Sequence, residues 1–215
     1  MMPGVTDRPS LAQLVAGATQ VLAEAGVPSP EHDARALAAH ALGLERLPVL
    51  LDERMDEDAM TAFAAGVERR RQREPLQHIV GSAGFRYLAL AVEPGVFVPR
   101  PETEGVAQVA IDEAAALLRA GTPPVVVDLC CGAGGIAIAV ATEVPGSLVT
   151  AVDLSPAAVA LTSRNAFSAG VGAIRLEQGD VREPDLLADL DGTVDVVVSN
   201  PPYIPPDAVP IEPEV

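Results

Sequence analysis

No lysine and no tryptophan occur in these 215 residues, and aromatic rings are limited to four phenylalanines and two tyrosines. Without lysine there is no G-x-x-x-x-G-K-[ST] loop, so triphosphate binding of that kind is excluded. Cysteine is confined to the adjacent pair Cys130-Cys131. Neighbouring residues rarely meet disulfide geometry, and no second pair supplies metal-ligand spacing, so neither a disulfide framework nor a metal site is expected. The three histidines, His32, His40 and His78, lie far upstream, which gives a nucleophilic cysteine poor support. No signal-peptide pattern is visible, which makes a reduced, cytoplasmic setting the natural inference; no membrane partner is expected.

Positive charge is also scarce. Fourteen arginines stand against 30 acidic residues, a formal net charge of −16. Residues 1–80 hold eight arginines and twelve acidic residues; residues 81–215 hold six and eighteen. A second half so acidic has no footprint for tracking phosphates, which counts against DNA or RNA as a direct partner. The exception, Arg69-Arg70-Arg71-Gln72-Arg73, reads as a solvated helix end that complements the dipole.

The spacing predicts two domains and a linker. Leu11, Leu14, Val15, Ala18, Val21 and Leu22 form a helical stripe that Ser10 can cap. Gly26 to Pro30 breaks it. Further helices are expected over Glu31–Leu42 and from Asp56 to about Arg73, completing a helical domain over 1–80. Residues 81–100 read as a hairpin linker, with Phe85 to Val98 centred on Glu93-Pro94-Gly95. The domain over 101–215 opens with a helix from about Glu102 to Ala120.

Beyond that helix the chain reads as a series of strands, each ending in polar residues, of which Val125 to Leu129 and Val194 to Ser199 read as buried. Val125 to Leu129, with Asp128 near its end, runs into Cys130-Cys131-Gly132-Ala133-Gly134-Gly135 and a small-residue helix from Ile136 to Thr142. Strand, glycine-rich turn and helix make the first unit of a nucleotide-type α/β fold. The glycines permit close backbone approach to a ligand, and the helix amino terminus favours a carboxylate such as that of S-adenosylmethionine. Ser147 to Val152 ends at Asp153, a carboxylate placed to accept hydrogen bonds from ribose hydroxyls. Ala173 to Glu177 is followed by Asp180, which can meet an adenine amino group, with Val181 against the ring.

Val194 to Ser199 is a fourth strand. Pro201 and Pro202 stop it, because neither can donate to a ladder, leaving Asn200 and Tyr203 at its carboxyl end. The tetrapeptide suits methylation of a planar nitrogen. Asn200 offers a side-chain oxygen and Pro201 a backbone carbonyl to hold an NH2 group in line with an incoming methyl, while Tyr203 covers the planar group. Asn200, Pro201, Pro202 and Tyr203 are therefore the candidate catalytic residues. Asp128, Cys130, Cys131, Gly132, Ala133, Gly134, Asp153, Asp180, Val181 and Asn200 are the candidate cofactor-binding residues.

These segments, together with Pro75-Leu-Gln-His-Ile-Val-Gly81 and Phe97-Val-Pro-Arg-Pro-Glu-Thr-Glu104, resemble the protein-(glutamine-N(5)) methyltransferases of the HemK/PrmC type, over nearly the whole length. A related subgroup with a paired-cysteine cofactor loop is similar at Cys130-Cys131, where the main family commonly has glycine and threonine. The resemblance implies an α/β class I fold, Rossmann-like with a mostly parallel sheet, and a small N-terminal helical domain that helps to hold a protein substrate. It implies S-adenosylmethionine as cofactor and the GGQ glutamine of a peptide-chain release factor as acceptor, gripped by Asn200 and Pro201. That fold has seven strands; four are countable after Gly121, so a C-terminally truncated sheet and weakened activity are expected. Two alternatives stay open: an adenine N6-type nucleic-acid methyltransferase sharing the Asn-Pro-Pro-Tyr logic, and a catalytically idle binding module.

Overall fold

The computed structural model describes residues 9–48 and 54–202. The chain divides into two compact units that meet in sequence at Val80 and Gly81. Among the described residues no helix is long and apolar enough to cross a membrane.

The first unit is helical: α1 (Leu11–Glu24), α2 (Pro30–Ala41), α3 (Glu57–Arg71) and the short α4 (Leu76–Val80). Ser10 opens α1 with a capping box. Its hydroxyl accepts from Gln13 N, and the Gln13 side chain accepts from Ser10 N, so two orphan donors of the first turn are satisfied. Asp56 caps α3 through Ala59 N at 2.8 Å. Leu11, Leu22, Leu37 and Phe63 are buried together from three helices. Burying each such side chain contributes about 1.5–3 kcal/mol.

The arginine run at the end of α3 is not uniformly solvated, as its charge suggests it should be. Arg70 is buried and donates from Nε to Asp33 Oδ2 at 2.7 Å. The helical period turns Arg70 inward while Arg69 and Arg71 stay out, where they pair with Glu74 and Glu68.

The second unit holds the hairpin β1 (Ser82–Phe85) and β2 (Leu88–Ala91). After it come α5 (Thr103–Arg119), β3 (Val125–Leu129), α6 (Gly135–Glu143), β4 (Leu148–Asp153), α7 (Pro156–Ser168), β5 (Arg175–Gln178) and β6 (Val196–Ser199). The main sheet runs β5-β4-β3-β6, parallel throughout. Chain order reverses direction at β3, so a topological switch point lies at the carboxyl ends of β3 and β6, the place where open α/β sheets bind ligands. The α6 residues from Gly135 to Val140 are all buried, consistent with an apolar, small-residue sequence and no polar stripe.

The hairpin turns at Arg86-Tyr87 rather than at Glu93-Pro94-Gly95, with Phe85 paired to Leu88. Pro94 has no N–H to give to a ladder, so it falls beyond β2, where Val96 N donates to Glu93 O at 3.2 Å in a separate turn. The hairpin is anchored inside this unit. Arg86 forms a partly buried ion pair with Glu143 of α6 at 2.6 Å, and Glu104 of α5 accepts from Arg86 N at 2.9 Å.

Candidate functional site

Three residues after β3 adopt left-handed backbone: Cys130 at φ +62°, Gly132 at +58° and Gly134 at +85°. They curl the chain from strand into α6 within a few residues. The two glycines serve different ends. A Cβ on Gly134 would stand 2.6 Å from Thr162 Cγ2, so helix packing demands its absence. A Cβ on Gly132 would meet nothing within 4 Å, so that face of the loop is open. Cys130 bears a side chain where the backbone favours glycine.

Carboxylates hold the loop in place. Asp153, ending β4, accepts from Gly132 N at 2.8 Å through Oδ2 and from Ser155 N at 2.9 Å through Oδ1. Asp128 is buried, its Oδ2 accepting from Ala137 N in the first turn of α6 at 3.0 Å. Its Oδ1 has no hydrogen-bond partner among the described residues. Burial pushes the Asp128 carboxyl up to about 7; the Ala137 N–H opposes the shift and the Asp153 charge adds to it.

Asp180 follows β5 on a turn whose Gly179 N donates to Asp153 O at 3.1 Å. The Arg182 side chain and backbone N–H hold the Asp180 carboxylate down at about 2. Val181 beside it is exposed. Asp128, Cys130 to Gly134, Asp153 and Asp180 are thus brought together along the carboxyl ends of three adjacent strands.

Both thiols are poor nucleophiles. Burial, reinforced by Asp128, pushes Cys131 up to about 12. Cys130 is half-buried and is raised first by burial and then by the Asp153 charge, with the Ser199 hydroxyl opposing.

At the neighbouring strand end, Leu129 of β3 is paired with Ser199 of β6, so Cys130 and Asn200 leave the sheet at the same level. Ser199 Oγ donates to Leu129 O at 2.7 Å and ties the two exits. Asn200 is half-buried, its Nδ2 donating to Thr103 Oγ1 at 3.0 Å. Pro201 and Pro202 are exposed; Tyr203 lies outside the described residues.

Three polar residues essential to this geometry escape sequence reasoning. Thr103 lies inside the Pro-Arg-Pro-Glu-Thr-Glu segment, which is its only sequence signal. Thr162 donates to Gly132 O at 3.0 Å, and Asn165 donates to Ala133 O at 2.9 Å, both from α7. Their positions in a helical stripe read as ordinary helix face.

The loop fits S-adenosylmethionine. It has an open face at Gly132, and Gly134 supplies no side-chain cap to the first turn of α6. Amide N–H groups at such a helix start suit an amino-acid carboxylate. A parallel sheet with its switch point at this loop is the class I arrangement of S-adenosylmethionine-dependent methyltransferases, the class this chain falls in.

Comparison with known proteins narrows the class. Residues 13–81 match the family described as PrmC N-terminal domain, and residues 94–210 match the methyltransferase small domain. The chain is 45% identical over 217 residues to release factor glutamine methyltransferase of Bifidobacterium longum, covering 95% of this chain and 73% of that one. With the Streptomyces coelicolor protein of the same name it shares 52% over 194 residues, covering 89% and 65%. It is also 45% identical over 200 residues to a 4-amino-L-phenylalanine/4-methylamino-L-phenylalanine methyltransferase of Streptomyces pristinaespiralis, covering 92% and 66%. The chain therefore spans between 65% and 73% of the length of these relatives. It belongs to the release factor glutamine methyltransferase family.

Proposed function

We propose that this protein transfers the methyl group of S-adenosylmethionine to the side-chain amide nitrogen of a protein glutamine, that of the GGQ motif in a peptide-chain release factor, in the cytoplasm. When bound, the cofactor supplies an electrophilic methyl carbon on a sulfonium. The chain's contribution is positional. The loop from Cys130 to Gly134 receives the methionine part, Asp153 accepts from the ribose hydroxyls, and Asp180 and Val181 border the adenine. Asn200 Oδ1 and the Pro201 carbonyl accept hydrogen bonds from the two N–H groups of the glutamine amide and hold its nitrogen in line. The cofactor would supply the methyl carbon and retain the sulfonium's bonding electrons as a neutral thioether, and the alkylated nitrogen would give up one proton to water. Positioning of this kind lowers a barrier by roughly 7–11 kcal/mol in the most favourable intramolecular cases. The helical unit over 1–80 receives the body of the release factor.

The observation that best supports this reading is the paired exit of Cys130 and Asn200 from β3 and β6, since it brings the residue proposed to grip the acceptor next to the loop proposed to receive the cofactor. The test offers unmethylated release factor and methyl-labelled cofactor to the protein, then sequences peptides by mass spectrometry. One added methyl on the GGQ glutamine, lost in Asn200→Ala, is expected. Methylation absent from that glutamine overturns the proposal.

A second reading has one specific support. The Streptomyces pristinaespiralis relative is named for action on an aromatic amine, and an arylamine also presents a flat NH2 whose lone pair is conjugated. Offering 4-amino-L-phenylalanine beside release factor separates the two acceptors. Acidity of the second half argues against an adenine in nucleic acid as a third.

A further inference from the structure

We infer that Thr103 is a positioning residue that anchors the Asn200 carboxamide by its nitrogen end, so that its oxygen is held toward the methyl acceptor. The inference rests on the glutamine-methylation reading above and concerns how the grip is held.

A carboxamide has a donor end and an acceptor end of almost equal size. To hold the NH2 of an incoming amide, Asn200 must present oxygen; turned over, it would present N–H groups against N–H groups. Nothing in Asn200 itself prevents the turn. The residue precedes a proline, which confines its backbone to extended conformations but leaves the side-chain amide free to rotate. In the observed orientation Thr103 Oγ1 accepts from Asn200 Nδ2 at 3.0 Å, which pins the plane of the amide and leaves Oδ1 for the acceptor.

Both partners sit on rigid mounts. Thr103 is the first residue of α5, and its N–H donates to Arg100 O at 3.0 Å. The next residue, Glu104, accepts from Arg86 N at 2.9 Å, while the Arg86 guanidinium is held by Glu143. Hairpin, α5 and α6 therefore fix the first turn that carries the Thr103 hydroxyl. On the other side, Asn200 follows a strand whose last residue, Ser199, is bonded to Leu129 O at 2.7 Å. A group that must be oriented closely is best carried by elements that do not move. This assigns a purpose to Thr103-Glu104: the first residue orients the acceptor grip and the second locks its mount.

Asn165 and Asn200 are the only asparagines in the chain, so protein labelled with ¹⁵N in asparagine alone shows two side-chain NH2 pairs. Thr103→Val should shift the Asn200 pair and speed its hydrogen exchange severalfold while the Asn165 pair stays in place. Thr103→Ser should leave both unmoved. If valine also disturbs the Asn165 pair, Thr103→Ala takes its place. With release factor as substrate, kcat should fall about 10- to 100-fold in the valine variant and recover in the serine variant, with cofactor Kd unchanged. An Asn200 pair indifferent to Thr103→Val overturns the inference, and so does unchanged kcat. A wild-type protein that methylates no release factor, yet whose Asn200 pair responds, overturns the function and leaves the positioning contact standing.

Discussion

The side-chain amide of Asn165 pairs with the backbone of Ala91 as one peptide group pairs with another. It accepts from Ala91 N at 2.9 Å and donates to Ala91 O at 3.1 Å. The same Nδ2 also donates to Ala133 O at 2.9 Å. One buried residue of α7 thereby holds β2 against the loop after β3. Asn165→Ala removes the side-chain partner of three backbone groups, of which the Ala133 carbonyl is buried, and is expected to destabilise the second unit by about 1–3 kcal/mol. Urea denaturation followed by circular dichroism measures this; a midpoint unchanged from wild type would show that the pairing contributes nothing.

The two loop glycines separate stability from affinity. Gly134→Ala sets a Cβ at 2.6 Å from Thr162 Cγ2 and at 2.9 Å from Ile138 Cδ1, in left-handed backbone as well. Overpacking and strain together are expected to destabilise by about 2–4 kcal/mol. Gly132→Ala meets open space, so its stability loss should be the backbone strain alone, about 1–2 kcal/mol. Its Cβ projects from the open face of the loop, and a drop in S-adenosylmethionine affinity of at least about tenfold is expected by calorimetric titration. Equal losses of affinity in the two variants, once both are folded, would refute the distinction.

Cys130 sits at φ +62°, where a side chain is strained. Cys130→Gly should relieve that strain and raise stability by about 0.5–1 kcal/mol, even though glycine gains freedom in the unfolded chain. Thermal melting checks the sign. In wild type the raised thiols predict slow alkylation near pH 8, slowest at buried Cys131, whose thiol is pushed up to about 12. Rapid, stoichiometric labelling of Cys131 in folded protein would contradict this placement.

Asp128 gives stability a pH dependence of definite sign. Its carboxyl rises from 3.8 to about 7 on folding, chiefly through burial. Between these values the folded chain keeps a proton that the unfolded chain has lost, so stability falls as pH rises. The contribution is complete below pH 3.8 and is lost as pH passes through about 7. Its slope is at most about 1.4 kcal/mol per pH unit. Asp128→Asn retains an acceptor for Ala137 N and cannot ionise, so this part of the slope should vanish. Denaturant midpoints measured from pH 4 to 8 compare the two proteins; parallel profiles would exclude Asp128 as the source.

Much of this architecture is legible in the chain because the signals are local. Val125 to Leu129 is β3 to the residue, Ser10 and Asp56 cap α1 and α3, and Pro156 opens α7 after Ser155. Each depends on neighbours within about one helical turn or on a run of β-branched residues. The hairpin is misplaced by such signals for the converse reason. Glu93-Pro94-Gly95 is a genuine turn, but Arg86, a non-glycine in left-handed backbone at φ +52°, carries the tight one. What holds it there is the long-range contact with Glu104 and Glu143. Arg70 reads as solvent-facing because charge is visible in a sequence, whereas its buried partner Asp33 lies 37 residues away.

By itself the sequence determined where strands end, where the loop must be glycine-rich, and which residues stand at the strand ends. Backbone sterics and side-chain patterning act over a few residues, and those tendencies survive packing. Only the tertiary structure decided which way the functional groups face. Thr103 meets Asn200 across 97 positions and Asn165 meets Ala91 across 74. Such pairings exist because α5 and α7 pack onto this particular sheet; no spacing rule joins residues so far apart, and a hydrogen bond needs its partners within about 3 Å and correctly turned.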